Sequence, residues 1–180
     1  MRLLDLDAIG ADFVQTLFEA QVRFLIVGGV AVNFYVQTRP AHDLDILSEP
    51  TSKNATRLAS ALRGFSLRYN KSFQFTDCDL SRLGKPWLKL PLWSEDDFVG
   101  IDILTSINDV SFDEAYRQAL LHRAESLTVR VLSRDHLIRS KWEPAQLDEK
   151  HLADIRALKA LTSDTSNGTS KTTTVPPEPC

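Results

Sequence analysis

The sequence predicts an α/β domain: a small mixed β-sheet with helices packed on it and a helical pair at its C-terminal end. Three observations predict it. Runs of strand length that are wholly apolar or strictly alternating recur at 24–27, 43–47, 99–104 and 128–132. Segments with apolar residues at helical spacing separate them. The last part of the chain carries two helical patterns in succession, with Pro144 between them.

The elements follow in order. Leu6, Ile9, Phe13, Leu17 and Phe18 recur at helical spacing behind Asp5 and Asp7, which predicts an amphipathic first helix. Phe24-Leu25-Ile26-Val27 reads as a buried strand. Gly28-Gly29 follows as a turn, and Val30 to Tyr35 predict a short helix. Arg39-Pro40 breaks the chain before the alternating strand 43–47. A loop over 48–54 leads to a helix over 55–62 that ends near Gly64. Short strands are expected around 73–75 and 87–90. After the strand 99–104, Ser111 with Glu114 three residues on matches the reciprocal capping pattern, and Ala119 and Leu120 are expected on that helix. Ser133 caps a helix bearing Leu137, Ile138 and Lys141, which Pro144 ends. A last helix over 148–161 sets Leu152, Ile155, Leu158 and Leu161 on one stripe.

Composition bounds the function. With 180 residues, 43% hydrophobic, the chain predicts one domain, 1–161, large enough to bury its own core. Residues 162–180 are Ser, Thr, Asn, Gly and Pro with almost nothing apolar, which predicts a disordered tail. A net charge of −3 argues against a strongly basic nucleic-acid binder. The best basic run, Arg57, Arg63, Arg68 and Lys71, reads first as a solvated helix face. Two cysteines, Cys78 and Cys180, make no disulfide framework. Acids stand where a signal peptide needs an apolar run, and no stretch approaches the roughly 20 apolar residues of a membrane span. A cytoplasmic protein without membrane contact is expected.

The chemistry rests on Gly28-Gly29, on Asp43-Leu44-Asp45 and on Asp102. Alternation along a strand turns Asp43 and Asp45 to the same face. Asp102 sits between Ile101 and Ile103 on another strand, so neighbouring strands would gather three carboxylates on one surface. Aspartate is disfavoured in strands, and like charges in contact raise one another's pKa. A divalent cation relieves that repulsion, and magnesium binds through one or two carboxylates plus substrate phosphates. Taken singly, each aspartate could simply end a strand at the surface. Glycine after a buried strand lets a ligand approach the backbone, and the following helix N-terminus suits phosphate. The run is neither a dinucleotide fingerprint nor a Walker loop.

These residues resemble the nucleotidyltransferase superfamily that includes DNA polymerase β. The shared pattern is Val27-Gly28-Gly29, a spacer, Asp43-Leu44-Asp45-Ile46 and a later strand acid, Asp102. The chain is more similar still to a small bacterial branch of uncharacterised and abortive-infection toxin-like members. Leu25 to Val32, Arg39, Ile101 to Thr105, Phe112 to Ala115, Val131-Leu132-Ser133, Lys141 and Leu152 to Ile155 carry that likeness. The resemblance implies a Mg2+-dependent transfer of a nucleoside monophosphate from a nucleoside triphosphate to an acceptor hydroxyl. It implies that Gly28 and Gly29 approach the triphosphate, and that Asp43 and Asp45 bind metal. Asp102 would bridge a metal and activate the hydroxyl. Arg39 and Lys141 would contact the nucleotide, with Asp154 orienting Lys141. The acceptor, whether RNA, protein or small molecule, is left open, and a partner protein is possible. Two departures stand out: the second glycine replaces a common serine, and Trp142 to His151 reads WEPAQLDEKH where the branch often has a basic turn. The alternative expectation is a silent nucleotide-binding or partner-binding module of the same fold, as in a toxin–antitoxin pair. From the residues alone, Lys141 is a helix-end surface charge and Asp154 is solvated or pairs with Lys150.

Overall fold

The structure, a computed structural model, describes residues 6–36, 41, 43–69, 87–93, 98–124, 127–142 and 148–161. Arg39, His42, the strand expected at 73–75, Pro144, both cysteines and the tail 162–180 lie outside the described residues. Along the chain run α1 (Ala8–Glu19), β1 (Phe24–Val27), α2 (Gly28–Tyr35), β2 (Asp43–Ser48), α3 (Ser52–Arg68) and β3 (Trp87–Trp93). Then come β4 (Phe98–Leu104), α4 (Phe112–Gln118), β5 (Leu120–Ala124), β6 (Leu127–Val131), α5 (Arg134–Lys141) and α6 (Glu149–Ala160).

The described strands form one sheet in the order β3-β4-β2-β1-β6-β5. β2 pairs parallel with β4, and β1 parallel with β6; the other pairings are antiparallel. The fold is therefore mixed α/β, as expected. β1 is buried along its whole length at the middle of the sheet, which is why it reads as a run without alternation. Ile26, Ile46, Ile101 and Ile103 are fully buried in the core.

Helix α1 starts where Asp7 accepts a hydrogen bond from the Gly10 amide, satisfying an orphan N–H of the first turn. It packs on α3, with Phe13 edge-on to Phe65 at 5.1 Å. Helix α3 runs through Gly64 instead of ending there. Leu58, Leu62 and Phe65 are fully buried, and a Cβ at Gly64 would meet nothing within 4 Å. The packed stripe outweighs the ~0.5–1 kcal/mol that a mid-helix glycine costs. Arg63 and Arg68 are exposed and Arg57 is partly covered, in keeping with a solvated helix face; Arg57 donates to the Gln21 carbonyl and Arg68 to Asp12, and Lys71 lies outside the described residues.

Two local expectations fail. Leu120 is not helical but opens β5, which forms a hairpin with β6. Ser111 stands at the N-cap of α4 without a side-chain hydrogen bond, and Glu114 turns to α5. Its carboxylate lies 3.4 Å from His136 Nε2 and 3.4 Å from Arg139 Nη1. The hydrogen bond with His136, then Arg139, holds Glu114 below the usual carboxylate range. Cationic and imidazole partners in tertiary reach have displaced the local capping bond. No helix among the described residues is long and apolar enough to cross a membrane.

Candidate functional site

Strand β2 alternates as expected. Leu44 and Ile46 are buried on one face, and Asp43 and Asp45 take the other, Asp43 exposed and Asp45 partly covered. Register then does what sequence spacing cannot: Asp45 stands directly opposite Asp102 on parallel β4, and Asp43 opposite Gly100. Two carboxylates thus share one sheet face on adjacent strands, and a third lies one pleat along.

Two glycines make room for them. A Cβ at Gly28 would fall 1.9 Å from Asp45 Oδ2, and one at Gly100 would fall 2.4 Å from Asp43 Oδ1. Gly28 also has φ 64°, a left-handed conformation that glycine alone adopts without strain. The expected turn at Gly28-Gly29 is in fact the first turn of α2, which begins at Gly28. Its Gly29 amide already donates to the Asp45 carboxylate. Gly28 therefore serves the carboxylate as well as any ligand. Gly100 was not anticipated; the available signal was a glycine inside a strand pattern, which marks close approach.

Asp45 is the perturbed acid. Burial, and then the charge of Asp102 beside it, push its pKa up to about 6. The Gly29 hydrogen bond opposes this, and the Lys141 ammonium opposes it more weakly. A raised carboxylate among like charges in a partly buried site is what a bound cation would relieve. The donor set is hard oxygen, which fits magnesium. Among the described residues, however, no three His, Cys, Asp or Glu side chains stand together as a formed metal site.

The helical pair supplies the opposite charge. Lys141, the last residue of α5, meets Asp154 of α6 at 2.9 Å, with both side chains nearly or fully buried. The residue-level expectation of a surface lysine and a solvated aspartate is corrected. The α5–α6 packing carries both groups inside as an ion pair. Helix α2 packs against both α5 and α6, which brings the pair to the β1–α2 corner. Tyr35 of α2 donates to the Leu132 carbonyl at 3.1 Å, and burial pushes its hydroxyl up to about 12. Ser133 caps α5 as expected, accepting from the His136 amide while its hydroxyl lies 2.7 Å from His136 Nδ1.

No protein-family model and no curated protein matches the chain. Among solved structures, it is similar to the antibiotic-resistance factor ANT(2'')-Ia, at 15% identity and a TM-score of 0.44. That match covers 87% of this chain and 84% of the other.

Proposed function

We propose that this chain is a magnesium-dependent nucleotidyltransferase, moving a nucleoside monophosphate from a nucleoside triphosphate to an acceptor hydroxyl. The observation that carries the reading is Asp45 opposed to Asp102 on parallel strands, with Asp43 one pleat away and a glycine notch beside each β2 acid. Asp43, Asp45 and Asp102 would hold Mg2+. The ion supplies neutralisation of carboxylate and phosphate charge when bound. Gly28 and Gly29 let the triphosphate approach the backbone at the start of α2, and Arg39 contacts the nucleotide. The Lys141 ammonium, oriented by Asp154, offers a point charge to phosphate. Asp102 takes the acceptor proton as the hydroxyl oxygen bonds to the α-phosphorus. The bond from that phosphorus to the bridging oxygen breaks, and pyrophosphate leaves. Positioning and charge stabilisation do the remaining work.

Support comes from the strand register, the raised Asp45 and the buried lysine–aspartate pair beside them. The competing reading is a silent nucleotide-binding or partner-binding module, as in a toxin–antitoxin pair. The acidic run WEPAQLDEKH from Trp142 to His151, where the branch often has a basic turn, favours it.

Thermal melts with magnesium and each of four triphosphates test binding. At about 100 times the dissociation constant, the matching triphosphate should add roughly 2.7 kcal/mol, and Asp43→Asn should remove the gain. Failure of all four triphosphates to shift the melt would remove the nucleotide site. Transfer is then tested with labelled triphosphate, magnesium and RNA, protein and small-molecule fractions. Label should appear with the wild type and vanish with Asp102→Asn, while that variant keeps much of its nucleotide binding. Binding without transfer to any fraction would favour the silent module.

A further inference from the structure

A second concave feature lies at the opposite end of β1 from Gly28. It is a cavity of about 680 Å3, within the ~300–1,000 Å3 range of small-molecule sites. Three arginines line it: Arg23 just before β1, Arg57 on α3 and Arg130 on β6. Among the described residues that line it, the one acid is Glu19, which accepts from Gln15 at 2.8 Å. Glu49 pairs with Arg23, which leaves Arg57 and Arg130 as the lining guanidinium groups not engaged by a carboxylate among the described contacts.

The arginines are held rather than dangling. Tyr116 carries two of them over its ring, Arg130 at 4.3 Å and Arg23 at 4.6 Å from the centroid. Arg23 is also paired with Glu49, and approaches Asp113 at 4.0 Å. Arg130 donates one N–H to the Tyr116 carbonyl at 3.3 Å, and Arg57 one to the Gln21 carbonyl at 3.0 Å. A guanidinium has five N–H donors, so each of these two keeps most of its fork for something else. Stacking fixes the plane of Arg130 in advance, which lowers the entropy lost on binding. The walls are apolar: Phe18 and Leu121, 43% and 52% exposed, stand beside the cavity. Exposed apolar side chains next to fixed guanidinium groups suit an anion attached to an apolar or planar body.

We infer that this cavity is a second anion site, which takes a phosphate monoester of about nucleotide size without a metal ion. Phosphate is favoured over carboxylate because its greater charge and its number of acceptor oxygens can engage more than one arginine fork. The inference does not rest on the proposed transfer reaction, because none of the carboxylates of β2 and β4 takes part.

Calorimetric titration of the full chain in EDTA tests it, with adenosine 5′-monophosphate, phenyl phosphate, adenosine and benzoate as probes. Both phosphates should bind saturably, and adenosine should not. Benzoate should bind at least tenfold more weakly than phenyl phosphate. Arg57→Gln with Arg130→Gln should weaken both phosphates at least tenfold, and Asp43→Asn should leave them unchanged. Should the double variant melt early, Arg57→Gln alone, on the surface of α3, should still weaken binding severalfold. Absence of phosphate binding in EDTA overturns the inference. So does binding that tracks Asp43 rather than the arginines, or benzoate binding as tightly as phenyl phosphate.

Discussion

Lys141–Asp154 and Asp45–Asp102 lie at the same end of the sheet, and they are opposite in kind. The first joins opposite charges at 2.9 Å, almost wholly out of water, and clamps α5 to α6. The second sets like charges across a strand pair, and burial, then the Asp102 charge, raises Asp45 to about 6. Asp45 and Asp102 are also only partly covered, where Lys141 and Asp154 are nearly or fully buried, so the pairs differ in burial as well as in sign. Breaking the first pair should leave a buried charge without compensation, whereas breaking the second should relieve strain the metal-free protein already carries. A site that is less stable than it could be, beside a clamp that needs both its partners, is the pattern expected where ligand binding supplies missing charge.

The largest effect should come from the clamp. Asp154→Ala should cost about 3–5 kcal/mol in urea unfolding, because Lys141 stays buried without its partner. Replacing both, as Lys141→Met with Asp154→Leu, should bring stability back to within about 1–2 kcal/mol of wild type. A loss below ~1 kcal/mol for Asp154→Ala would erase the contrast between the two pairs.

The glycine notch comes next. Gly28→Ala adds a Cβ onto the Asp45 carboxylate at a left-handed φ, and should cost on the order of 1–3 kcal/mol. Gly100→Ala lacks the backbone strain and meets exposed Asp43, whose side chain can turn aside, so its loss in the same unfolding assay should be smaller. Equal losses would show that carboxylate crowding, not φ, dominates.

The smallest effect has the opposite sign. The folded pKa of Asp45 lies above its unfolded value of about 3.9. The folded chain therefore binds more protons, and stability present below pH ~4 is lost as pH rises to about 6. Asp45→Asn should raise metal-free stability at pH 7 on the order of 1–2 kcal/mol, discounted for partial exposure, and should do nothing at pH 4. Melting curves at the two pH values check this, and a variant less stable than wild type at pH 7 would mean that the Gly29 hydrogen bond outweighs the repulsion.

Periodicity alone read the ends of β1, the common face of Asp43 and Asp45, and the Ser133 cap, because each depends on neighbours a few residues away. It missed β5, whose Leu120 looked like a helix continuation until the hairpin with β6 used it. It also stopped α3 at Gly64, because the stripe that carries the helix onward is decided by packing against α1. The partners of the charged residues were the least legible. Opposition of Asp45 to Asp102 depends on parallel register between strands more than fifty residues apart, and a shift of one residue would turn Asp102 to the other face. Glu114 left its cap for His136, Asp154 left solvent for Lys141, and three arginines from distant elements gathered on one cavity. Local backbone geometry repeats every two or 3.6 residues and is written in the sequence. Charge pairing acts through space, and only the folded chain decides which charges meet.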